Sequence, residues 1–155
     1  MKGNPRVIAH LQRLVNAELG VVDLSLLHAR IYEDRGFVKL AARDDLVVQQ
    51  GRASLDLLLR RKLFLGATPD MSQRDPLMPA NEVREMIRAD LNAQYQLADH
   101  LRTAIACCNE ERDFQSGAML GEMLLRVEEE NTYWLEQQLG LMESVGPDNY
   151  LAAQM

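Results

Sequence analysis

Cysteine is scarce, and the two that occur cannot work together. Cys107 and Cys108 are adjacent. On a helix, neighbouring side chains point about 100° apart, a poor geometry for a disulfide or a paired metal ligand. They are expected in the core or at an interface, where free cysteines usually lie. Histidine is nearly as rare: His10, His28 and His100 make up the whole complement of 3. None sits three residues after an inward-facing glutamate, so all three are expected at the surface or an interface rather than as ligands. There is no Cys-x-x-Cys pair, no Gly-rich phosphate loop and no Ser-His-Asp arrangement. There is also no run of eighteen apolar residues and no signal-peptide pattern after Met1, which points to the cytoplasm. Positive charge is in the minority: 17 Lys and Arg against 23 Asp and Glu leave a net charge of -6. That argues against nucleic acid, which requires clustered cations to neutralise phosphates. Internal repeats and low-complexity tracts are missing too.

What is present is helical periodicity. The 155 residues, 47% apolar and 26% charged, suit one soluble domain with a single core. Asn4-Pro5 is a helix start, a capping side chain followed by proline at the first helical position. From there Val7, Leu11, Leu14/Val15, Glu18, Val21/Val22, Ser25 and His28/Ala29 recur on one stripe as far as about residue 35. Gly36 suits a left-handed stop. A second helix spans about 37–65, with Ala41, Asp44/Asp45, Val48, Gly51, Leu55 and Leu58/Leu59 on its stripe. Gly51 costs about 1 kcal/mol relative to Ala in mid-helix, so packing there wants no side chain, or one has been lost. Helices three and four are expected over about 82–111 and 113–144. After Gly146-Pro147, Asp148 caps a short fifth helix over 148–154.

Between helices two and three, Pro69, Pro76 and Pro79 break any period. The segment from Gly66 to Asn81 spans roughly 50 Å when extended, and a 28-residue helix is about 42 Å long. One crossover can therefore return the chain along the whole bundle and make helices two and three parallel. The expected fold is all-α: a four-helix bundle with a long crossover between helices two and three and a short C-terminal helix.

Near mid-length each helix carries polar residues on its buried stripe: Glu18; Gly51 with Ser54; Gln94; Glu128 with Asn131. An ionised carboxylate inside a bundle must be paired, protonated or metal-bound. Glu128 and Asn131 have the spacing at which di-iron bundles carry Glu-x-x-His, with the histidine replaced by an amide. Glu18 and Glu128 are expected on the inward face at matching height, holding a metal, sharing a proton, or reaching Arg or Lys at the bundle edge.

The chain resembles bacterioferritin throughout its length. The resemblance is carried by Met1–Ile8, Asn16-Ala17-Glu18-Leu19, Leu27-His28-Ala29-Arg30 and Arg61-Lys62-Leu63-Phe64-Leu65. It continues in Glu85–Leu91, Tyr133–Leu139 and Asn149-Tyr150-Leu151. It implies two-fold dimers in a hollow cage of about two dozen subunits that stores ferric mineral. Matched one by one, the family's iron ligands fall on Glu18 and Glu128, which are kept, and on Gln94, a neutral isostere. They also fall on Gly51, Ser54 and Asn131, where a glutamate and two histidines are replaced. The haem-ligating methionine matches Arg52, which cannot act as an ordinary axial ligand, so a homodimer is not expected to bind haem. Carboxylates of the cage's inner wall match Val47 and Gln50. A channel residue matches Asn149, with Ala152 in place of its polar partner. The resemblance thus implies an iron-storage subunit without ferroxidase activity, assembling with itself or with an active bacterioferritin subunit. The alternatives are a ferroxidase with a reduced metal site at Glu18 and Glu128, or a non-iron protein on the same fold whose Arg52 grips an anion.

Overall fold

The structure, a computed structural model, describes residues 1–155. Helix α1 (Pro5–Asp34) begins where Asn4 accepts from the Arg6 and Val7 amides, satisfying two of the donors a helix start leaves free. Gly36 then turns the chain with φ 84°. Helix α2 covers Val38–Phe64, and α3 covers Val83–Glu110. The fourth long helix is composite: α4 (Phe114–Leu125), a π-helical stretch (Arg126–Thr132) and α5 (Tyr133–Val145) run on without a break. Asp113 caps its start by accepting from the Ser116 amide. Helix α6 (Pro147–Ala152) closes the chain. It starts with proline after Gly146 and has no side-chain cap, so Asp148 does not play the capping part expected of it. Proline at the first helical position already suits a start.

Contacts at the helix ends fix the topology. The Gly3 amide donates to the Leu65 carbonyl, so α1 starts where α2 ends. Arg6 pairs with Glu111 at 2.6 Å, so α1 also starts where α3 ends. Helices α2 and α3 are both antiparallel to α1 and hence parallel to each other, as a long crossover requires. That crossover is tied down along α1. Asp75 takes two hydrogen bonds from Arg13, and its amide donates to the Asn16 carbonyl. Gln12 bonds the Asp70 backbone.

The core is two apolar bodies. The larger, 22 buried residues, fills the end of the bundle holding Leu11, Leu58, Leu101 and Leu120, together with Cys107 and Cys108. The smaller, 10 residues, holds Tyr32, Leu40, Met86 and Met142, and docks α6 through Tyr150. The Tyr150 hydroxyl donates to Gln138 Oε1 at 2.7 Å. The buried polar residues of the bundle interior, Glu18, Gln94, Asn131, Asp90, Asp44 and His28 among them, belong to neither body.

Candidate functional site

Midway along the bundle, α1 supplies Glu18, α2 supplies Gly51 and Ser54, and α3 supplies Gln94. The π-helical stretch supplies Arg126 and Asn131. Together they line a cavity of about 10 Å³. Glu18 is 7% exposed. Burial pushes its carboxyl up to about 8, against which only the charge of Arg126 acts. At neutral pH it therefore holds its proton. A Cβ at Gly51 would lie 2.4 Å from Val22 Cγ2 and 3.0 Å from Glu18 Oε1. Valine is stiff about χ1, so α1 has closed over the place where a side chain on α2 would project. Gln94 is 3% exposed and its Oε1 has no protein hydrogen-bond partner. Asn131 Oδ1 accepts from Arg43 Nη2 at 3.1 Å. Ser54 is buried at the same level.

Glu128 does not face Glu18. Its side chain is 45% exposed and accepts from Arg102 Nη2 at 3.2 Å. The cause is local. In a π-helix the backbone bonds run i→i+5, so each turn holds more residues than an α-turn and side chains are redistributed around the axis. Over Arg126–Thr132 this places Arg126, Val127 and Asn131 at the cavity and Glu128 outside. A guanidinium thus stands at the centre where a second carboxylate was expected.

Val47 is buried, and both it and Gln50 line the bundle cavity. Asn149 is exposed, and its amide donates to the Val145 carbonyl at 2.7 Å, finishing α5. Ala152 and Arg52 are exposed. His10 and His100 are partly exposed, and His100 Nε2 lies 3.0 Å from Arg13. His28 overturns the surface expectation: it is fully buried.

His28 belongs to a second polar group that sequence reasoning missed. Its Nδ1 lies 2.7 Å from Asp90 Oδ1, and the Ala80 amide approaches Nε2 at 3.4 Å. An amide can only donate, so Nε2 accepts and the ring proton sits on Nδ1, donated to Asp90. Burial lowers the histidine's proton affinity, consistent with a neutral ring. Asp44 comes up beside them, the three groups offering ligand atoms within 4.8 Å of one another. Burial raises both carboxyls, and the hydrogen bond between them favours the proton on Asp44. Asp44 Oδ2 has no partner. The signal was present: Ser25, His28, Asp44 and Asp90 all lie on the apolar stripes. It was masked because ligand spacing drew attention to mid-helix alone.

Known proteins resemble this chain along its whole length. The family profile described as a ferritin-like domain matches residues 8–145. A bacterial ferritin of Synechocystis sp. is 44% identical over 155 residues, covering 100% of this chain and 99% of its own. A bacterial ferritin of Pseudomonas aeruginosa is 41% identical, with 100% of both chains covered. A bacterioferritin of Mycobacterium leprae is 30% identical over 152 residues, covering 98% of this chain and 95% of its own.

Proposed function

Since the chain belongs to the bacterial ferritin family, an iron-storage protein of the oligomeric cage type, we propose that it is a structural subunit without ferroxidase activity. In this reading it builds the shell and leaves iron oxidation to active bacterioferritin subunits assembled beside it.

One observation carries the reading: the chemistry of the side chains at the bundle centre. Two bridged irons need several anionic oxygens and usually imidazoles. This centre offers one protonated glutamate, a hydroxyl, three amides and a guanidinium. At neutral pH every one of these groups is neutral or positive. A divalent ion arriving there would meet the Arg126 charge and would have to displace the Glu18 proton. Even a side chain added at position 51 would collide with Val22. The residues do not fit a di-iron pair, and no step of iron oxidation is assigned to them. A homodimer is likewise expected not to ligate haem through Arg52, since a guanidinium has no free lone pair to give.

The experiment has two parts. Stopped-flow measurement of ferrous oxidation by the purified homo-assembly should give the slow uncatalysed rate, whereas an active bacterioferritin run alongside gives a fast phase. Native mass spectrometry of the assembly from its own host should show shells mixing this chain with a second subunit type. A fast phase from the unmixed protein would refute the proposal.

A further inference from the structure

Beyond the bundle centre lies a second cavity of about 10 Å³, whose polar lining is Ser25, Arg43, Asp44, Asp90, Gln94 and Asn131. We infer that this cavity is a binding site for one small, hard divalent cation held by oxygen atoms alone.

Two observations point there. First, two buried acceptors line it without a partner, against one unpartnered buried donor, Arg43 Nε. Asp44 Oδ2 and Gln94 Oε1 both lack a protein partner, and their residues are only 4% and 3% exposed. Buried acceptors of this kind ordinarily find one. Second, Asp90 is oriented from behind. His28 is held by its own two partners, and its Nδ1–H donates to Asp90 Oδ1. That leaves the remaining carboxylate lone pairs for the cavity, and ligating carboxylates are commonly fixed in this way.

The donor set selects the ion. Carboxylate, amide and hydroxyl oxygens suit Mg²⁺, Mn²⁺ and Fe²⁺, whereas thiolate and imidazole donors, which favour softer metals, are missing. Five oxygens around a space of one water's size suit an ion smaller than Ca²⁺, which takes 6–8 ligands. Because His28 is already bonded at both nitrogens, it acts as a positioning residue. Arg43 also lines the cavity and opposes the ion electrostatically, but its Nη2 is engaged elsewhere. It donates to the Glu130 carbonyl and Asn131 Oδ1, and stacks 4.7 Å above the Trp134 ring. The site shares Gln94 and Asn131 with the bundle centre, not Glu18, Gly51 or Ser54.

Mn²⁺ is the probe, because it is hard, paramagnetic and slow to oxidise. Crystals of the intact assembly soaked in Mn²⁺ should give one anomalous peak per chain between Asp44 and Asp90, and none at Glu18. Equilibrium dialysis with electron paramagnetic resonance should count one Mn²⁺ per chain. Asp44→Asn should weaken binding by about 100-fold or more, as ligand loss exceeds the 10- to 100-fold typical of a lost supporting contact. The amide reproduces the protonated Asp44 in shape and in donating to Asp90, so this variant should still fold. Glu18→Gln should leave the affinity unchanged, which separates this site from the bundle centre. Density at the cavity without anomalous signal at saturating Mn²⁺ means a buried water and overturns the inference. So does a Mn²⁺ count that Asp44→Asn leaves unchanged. Neither result touches the proposal about iron oxidation, which the rate measurement decides.

Discussion

Glu18 and Gly51 show most clearly how single residues set the chemistry of this bundle. Glu18 has a folded pKa of about 8 against an ordinary value of 4.5. Between those values the folded state binds the extra proton, so stability is highest at the acid end and is lost as pH rises through 8. Glu18→Gln removes the ionisable group but keeps the shape. It should leave stability nearly unchanged near pH 4 and raise it near pH 9 by on the order of a few kcal/mol. Paired thermal melts at the two pH values check this; an equal shift at both would mean the carboxyl is solvated. Gly51 gives the opposite test of intuition. Alanine is favoured over glycine in mid-helix by about 1 kcal/mol, yet Gly51→Ala should destabilise by about 1–3 kcal/mol because its methyl meets Val22. Chemical denaturation measures the loss, and adding Val22→Ala should recover much of it.

The elements follow hydrophobic period closely where the helix is regular. Asn4-Pro5 and Gly36 mark the ends of α1 in sequence because their effects are local, a cap and a positive φ. Asp148 misled because Pro147 had already supplied the start. The π-helical stretch is another matter. Met123, Val127, Asn131 and Leu135 are all buried at steps of four, and three such steps drift about 120° around an ideal α-helix. That drift was the only trace of the π turn, and a period reading absorbs it as ordinary scatter. Hence Asn131 could be placed at the centre from sequence but Glu128 could not, and Arg126 went unseen. A π turn holds one residue more than an α-helix needs. Deleting Glu129 should therefore let the stretch close as α-helix and keep the register on both sides, so the protein folds and assembles. Deleting Gln96 from the regular α3 should rotate Leu97, Leu101 and Ala104 off the core and abolish folding. Circular dichroism and size-exclusion chromatography on both deletions distinguish them; equal failure would show that the π stretch is itself required.

In the whole molecule, two apolar bodies with a polar interior between them keep the outline of an iron-binding bundle and change its contents. The outline was legible because layered packing depends on many residues, each contributing a little. The second polar group was not, because His28, Asp44 and Asp90 come from three helices, and only the folded chain brings them within 4.8 Å. No helix is long and apolar enough to cross a membrane, and α1 and α2 expose hydrophobic residues such as Leu26, Leu27 and Leu57. In a shell of mixed composition, the rate of iron uptake should rise in proportion to the fraction of active partner. Reconstitution at several ratios, followed by oxidation kinetics, measures that dependence.

The central claim is that this bundle centre cannot hold two irons, and anomalous diffraction at the iron edge addresses it most directly. Crystals of the unmixed assembly, soaked anaerobically in ferrous iron, should show no pair of peaks beside Glu18. Two peaks about 3.5–4 Å apart, the spacing of two-metal sites, bridged at Glu18 within a single chain, would contradict the account.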